Sequence, residues 1–140
     1  MGTRRKSREL AMQMLFQGDL GKHSPEQVTK LFWPSRDAVD DETRGFAEDL
    51  YRIATTRGDE IDKLIEAHAQ NWRIERMAVV DRNLMRAAVA EMLEYPNTPA
   101  AIIINESLEI ARAYAAPESI HFLNGVLDAI AKDLLKRRLS

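Results

Sequence analysis

The sequence predicts an all-α fold, a compact bundle of about seven helices, and three observations carry the prediction. Apolar residues recur at three- and four-residue spacing along most of the chain. Capping residues, prolines and glycines punctuate those stripes at short intervals. No stretch keeps the period-two alternation of a half-buried strand.

Thr3 is placed to cap a first helix running to about Gln17, with Leu10, Ala11, Met14 and Leu15 as its stripe and Gly18 and Gly21 as its stop. Ser24-Pro25-Glu26-Gln27 joins a cap, a proline at the first helical position and an amide in the first turn. That signature opens a short helix through Val28, Leu31 and Phe32, which Pro34 closes. Asp40-Asp41-Glu42 puts negative charge where a helix N-terminus favours it, and Phe46, Leu50, Ile53 and Ala54 follow as a stripe that Gly58 ends or kinks. Ile61, Leu64, Ile65 and His68 form the next stripe, and periodicity lapses around Asn71-Trp72. A fifth helix is predicted from about Met77 to Tyr95, with Val80, Leu84, Ala88 and Met92 on one side and Pro96 and Pro99 bounding the loop after it. The β-branched run Ile102-Ile103-Ile104 resembles a strand, but Leu108, Ile110 and Ala111 continue it at helical spacing, so a helix is predicted. Pro117-Glu118 then opens a last helix with Phe122, Val126, Leu127, Ile130 and Leu134 turned inward.

At 140 residues, 45% apolar and 30% charged, the chain is expected to form one domain, residues 1–140, around one core. It has no cysteine, which removes disulfides, thiolate metal sites and a thiol nucleophile, and fits a reducing compartment. The longest apolar run, Ala100 to Ile104, is far short of the roughly 20 residues a membrane span needs, and a cytoplasmic protein without a membrane role is expected. Charge is divided unevenly. Residues 1–8 sum to +4 through Arg4, Arg5, Lys6 and Arg8, residues 132–140 sum to +3, and the body between them sums to −9. Basic ends on an acidic body suit an anionic partner that meets the ends.

His23, His68 and His121 stand apart, without metal-ligand spacing, and the six glycines form no phosphate loop, so neither a metal nor a cofactor is expected. No nucleophile and base share a recognised spacing, and an enzyme is not expected. On a helix, Arg4, Arg5 and Arg8 share one broad face, giving a cationic strip whose position at a helix N-terminus opposes the macrodipole. A phosphate ligand relieves that opposition. Phe16, Phe122 and Tyr114 are candidate stacking surfaces for unpaired bases, although an aromatic at helical spacing is more often core. Glu75 and Asp81 lie around the start of the fifth helix, where acids complement the dipole or face a basic protein; Glu118 complements the dipole of the last helix.

Five segments in order carry a resemblance: Arg4-Arg5-Lys6 with Arg8-Glu9-Leu10-Ala11; Leu15-Phe16-Gln17; Val80-Asp81-Arg82 with Leu84 and Arg86; Ile104-Asn105-Glu106-Ser107 with Glu109-Ile110-Ala111; and Ser119 with Phe122 to Asp128. Together they resemble the NusB family of transcription antitermination factors over nearly the whole chain. The resemblance implies binding of boxA RNA in ribosomal RNA leader transcripts, together with the small-subunit ribosomal protein NusE, within an RNA polymerase antitermination complex. It assigns Arg4, Arg5, Lys6 and Arg8 to RNA phosphates, and Glu118, Ser119 and Phe122 to further RNA contact. Phe16, Glu75 and Asp81 fall on the NusE side. Asn105, Glu106, Asn124 and Gly125 are implied as packing or hydrogen-bonding positions. Ala115-Ala116-Pro117 replaces a Gly common before the last helix, and Ile120-His121 stands where polar or basic residues are common. The same fold occurs in ribosomal RNA cytosine methyltransferases, but those require a nucleophilic cysteine and a cofactor domain. With four phosphate contacts, log affinity is expected to fall with log salt at a slope near −2.8, from about −0.7 per contact. The alternative is a protein-only interaction module or homodimer whose binding ignores RNA sequence.

Overall fold

The computed structural model describes residues 3–140. Seven α-helices and two single 3-10 turns make up the described residues, without a strand: α1 Thr3–Gly21, α2 Pro25–Phe32, α3 Asp41–Thr56, α4 Gly58–His68, α5 Val79–Glu94, α6 Ala100–Tyr114 and α7 Ser119–Leu139. The 3-10 turns are Trp33–Ser35, where Pro34 closes α2, and Ile74–Arg76, leading into α5.

Local chemistry sets most helix ends. Ser24 forms a full capping box with Gln27, its hydroxyl accepting from the Gln27 amide while the Gln27 side chain accepts from the Ser24 amide. Asp40 caps α3 by accepting from the Thr43 amide. Two expectations fail at α1. Thr3 is already helical, and the helix runs through Gly18 to Gly21. The left-handed residue that terminates it is Lys22, φ 56°, and the His23 amide reaches back to the Gly18 carbonyl at 3.1 Å. Gly18 serves packing instead, because a Cβ there would stand 3.2 Å from the Val28 methyl of α2. Gly58 opens α4 rather than ending α3.

Helix α5 is the axis of the bundle and packs against α1, α3, α4, α6 and α7. The one-sided stripe expected for it is incomplete. Leu84, Met85, Ala87, Ala88, Val89, Ala90 and Met92 are all buried, so apolar residues cover most of its circumference. Alanines at three of these positions let neighbouring helices approach closely. Helix α1 lies along α5 in the opposite sense: Arg8 meets Glu91 near the α5 C-terminus, and Asp19 meets Arg82 and Arg86 near its N-terminus. Arg82 and Arg86 therefore pair with α1, and Arg86 also with Asp62 of α4, instead of with acids on their own helix. Burial raises the Asp19 carboxyl, but hydrogen bonds from Arg82 and Asn83 outweigh it and hold Asp19 below the usual range.

Candidate nucleic-acid interface

The two basic ends of the chain meet at one end of the bundle. Arg8 binds Glu91, while the Arg138 guanidinium donates to the carbonyl of Met92, the next residue along α5. Of the C-terminal cations, Lys132 pairs with Asp128 and Arg137 with Asp133 at helical spacing, and both stay exposed. On the α1 rim, Lys6 lies 3.9 Å from Glu9. Arg4 and Lys6 are exposed, and Arg5 is half-buried. Arg4 lies over the Phe46 ring, 3.9 Å from its centroid, a cation–π contact that fixes the stem and leaves the charge at the surface. Arg5 donates two hydrogen bonds to Glu106 of α6, at 2.9 and 2.7 Å, and keeps 37% of its side-chain surface. Those bonds hold the Glu106 carboxyl below the ordinary range.

Arg8 departs from the expected strip. Only 8% exposed, it sends both arms of its guanidinium to Glu91, at 2.7 Å each, and a third nitrogen lies 3.6 Å from Glu106. Glu91 is 1% exposed. The pairing raises the Arg8 pKa against the opposing effect of burial. A side chain enclosed in this way positions the rim and offers no free face to a phosphate. The dipole opposition expected of the α1 cations is thus relieved inside the fold, fully at Arg8 and partly at Arg5.

At the other end of α5, two further expectations change. Asp81 is buried, not presented to a partner, and accepts a hydrogen bond from the Ser119 hydroxyl at 2.8 Å. Ser119 is buried as well, and the contact ties the start of α7 to the start of α5. Desolvation raises the Asp81 pKa, only partly offset by Ser119, and the second carboxylate oxygen is buried without a partner. Ser119→Ala removes the one donor and is expected to cost about 1–3 kcal/mol at pH 7. Because the folded pKa of this acid is raised, its penalty acts above the unfolded value, about 3.9, and fades below it. Thermal melts of S119A and the parent protein at pH 7 and pH 3.5 check this; a gap that does not shrink in acid contradicts it.

Glu75 and Glu118 are exposed, as a surface role requires. Glu75 accepts from Arg73 at 3.1 Å. Phe122 is half-buried, its ring edge-on to Trp72. Phe16, also half-buried, lines a groove with Leu20, Val80 and Tyr114. The Tyr114 hydroxyl donates to Glu9 and accepts from Gln13 of α1, while the residue stays 42% exposed. Asn105, Asn124 and Gly125 are exposed, while Glu106 does make the hydrogen bonds expected of it. Glu91 and Trp72 went unrecognised. Glu91 gives no local signal, whereas Trp72, a large aromatic where periodicity lapses, does. Among the described residues no group of His, Asp or Glu is arranged to hold a metal, and no helix is long and apolar enough to cross a membrane.

The NusB family model matches residues 5–132. The chain belongs to the NusB family. One NusB relative, the transcription antitermination protein of Koribacter versatilis, is 59% identical over 133 residues, covering 95% of this chain and 91% of that protein. Among solved structures, NusB of T. maritima superimposes with a TM-score of 0.84 at 32% identity, over 92% of this chain and 90% of that one. A chain from a crystal structure of the antitermination factors NusB and NusE in complex with dsRNA superimposes with a TM-score of 0.86 at 28% identity, over 95% and 98%. The matched residues 5–132 include Arg5, Lys6, Arg8, Trp72, Asp81, Ser119 and Phe122.

Proposed function

We propose that this protein is a transcription antitermination factor: it binds boxA RNA of ribosomal RNA leader transcripts together with NusE, and acts as a non-enzymatic, cytoplasmic adaptor in an RNA polymerase antitermination complex. The observation that carries the reading is the α1 rim, where Arg4, Arg5 and Lys6 keep charge at the surface of a body that is otherwise acidic. The similarity to NusB in a complex with NusE and dsRNA supports the same assignment. Phosphate contacts of this kind position the strand, and base contacts select it. Arg8 enters as a positioning residue: its pairing with Glu91 and its approach to Glu106 set the carboxylate against which Arg5 is held. Exposed Glu75, and the Phe16 groove, are the surfaces available to a basic partner.

Three exposed or half-exposed cations, in place of four, lower the expected salt slope on a single strand to about −2.1. The test is a titration of boxA RNA and a scrambled RNA of equal length, with and without NusE, at several salt concentrations. Tighter binding of boxA, a slope near that value and a gain with NusE support the reading. Binding that ignores both RNA sequence and salt returns the protein to a protein-only adaptor or homodimer.

A further inference from the structure

We propose that the pocket between α2 and the start of α3, lined by Lys30, Arg36 and Arg44, holds a backbone phosphate of the RNA where the strand continues beyond the α1 rim. The inference rests on the RNA reading above and adds a second phosphate site on a different pair of helices.

The local sequence builds this pocket. Pro34 takes the chain out of α2 into a single 3-10 turn, and the Arg36 amide closes that turn on the Trp33 carbonyl at 3.0 Å. Arg36 thereby returns over Phe32, the buried aromatic four residues before it, with its guanidinium 4.0 Å from the ring centroid. Arg44, in the first turns of α3, lies over the Trp33 ring at 4.9 Å. Lys30 comes from the last turn of α2. All three cations are exposed and line one pocket of about 460 Å³.

The fold uses little of the hydrogen-bonding capacity of this cluster. A guanidinium resting on an aromatic face is attracted through its charge and commits no N–H group to the contact. Among the described residues neither Lys30 nor Arg36 pairs with an acid, so the Arg36 fork is held in place and unspent. Arg44 donates from Nε to Glu48 at 3.3 Å, and the same Glu48 oxygen accepts from the Trp33 indole. Arg52, Arg57 and Arg137, by contrast, have their forks on neighbouring acids. A guanidinium fork positioned in advance is the group that grips phosphate oxygens with least loss of side-chain freedom.

Asp37 is the one acid among the lining residues. Asp40 is spent on the Thr43 amide, and Asp41 and Glu42 stand in the first turn of α3, outside the lining. The pocket also lies beside the rim. The hydroxyl of Ser7, next after Lys6, donates at 2.8 Å to the carbonyl of Thr43, the residue before Arg44. A strand positioned on Arg4, Arg5 and Lys6 meets these cations as its next positive surface. Arg36 borders the Phe16 groove as well, which makes contact with NusE the competing assignment.

The experiment compares boxA RNA with boxA RNA carrying a poly-U flank at its 5′ or its 3′ end, using the full chain with and without NusE. On boxA alone the slope set by the rim applies. One flank, and not the other, is expected to raise affinity roughly fivefold at low salt and to steepen the salt slope from about −2.1 to about −2.8, the increment for one further phosphate. The double variant Lys30→Gln with Arg36→Gln loses both increments and binds boxA alone as the parent protein does. Asp37→Asn removes the repelling acid and is expected to strengthen binding of the flanked RNA about twofold, a gain that misfolding does not produce. Flanks that add neither affinity nor slope, or a double variant that keeps the gain, overturn the pocket; boxA alone still binding with the rim slope then leaves the RNA reading standing. Weaker binding of NusE to the double variant in the absence of RNA assigns the cluster to a protein contact and also overturns it. No boxA binding by the parent protein, with or without NusE, removes the RNA reading and this inference with it.

Discussion

Replacing Arg8 with alanine is expected to lower the free energy of unfolding by about 3–5 kcal/mol, the cost of leaving a buried ionised partner without its counter-charge. The partner is Glu91, which is 1% exposed and receives both guanidinium arms at 2.7 Å. With a urea m-value of roughly 1–3 kcal/mol/M, the unfolding midpoint moves down by about 2 M. The double variant Arg8→Met with Glu91→Leu is expected to recover most of the loss, since an apolar pair of similar volume replaces a buried ion pair at little net cost. This comparison separates a structural charge from a binding one. A stable R8A protein that has lost RNA affinity would falsify the positioning role and place Arg8 on the RNA surface after all.

The triple variant R4A/R5A/K6A is expected to do the opposite, keeping the fold and losing the salt dependence of RNA binding. For the parent protein, a fourfold rise in salt costs about twentyfold in affinity at a slope of −2.1. Without the rim that dependence nearly disappears, so the difference between parent and variant narrows by the same factor as salt rises. The fold is preserved because Arg4 and Lys6 are exposed and the Arg5–Glu106 pair lies near the surface, where ion pairs contribute little to stability. Filter binding or anisotropy at four salt concentrations, with a melting curve for each protein, measures both quantities. A triple variant whose slope equals the parent value places the phosphate contacts elsewhere.

These two variants mark where local reading stops. The capping box at Ser24 and Gln27, the Asp40 cap and the proline stops at Pro34, Pro96 and Pro99 lie within a few residues of the helices they delimit. Such signals are interactions between near neighbours, and they are written in the sequence as neighbours. Periodicity likewise placed the inward residues of α1, α3 and, apart from the half-buried Phe122, α7, because each buries one stripe. It described α5 poorly, since a helix buried on most sides has no polar face to set the phase.

The side-chain roles behaved differently. Arg4, Arg5 and Arg8 share a helix face, yet Arg8 turns inward because Glu91, 83 residues away, waits under it. Asp81 has the sequence context of a surface acid at a helix start, but it is buried and bound by the Ser119 hydroxyl of α7. Trp72 stands outside the periodic stripe in the sequence, while its exposed place beside Phe122 of another helix depends on the left-handed turn at Gln70 and Asn71. The amino-acid order alone thus determined the helices, their ends and the presence of a basic rim, all of which arise from interactions between residues close along the chain. Only the packed bundle decided which of those charges are neutralised from within and which remain for a ligand, because the desolvation and pairing of a charge depend on residues the chain brings together from far apart.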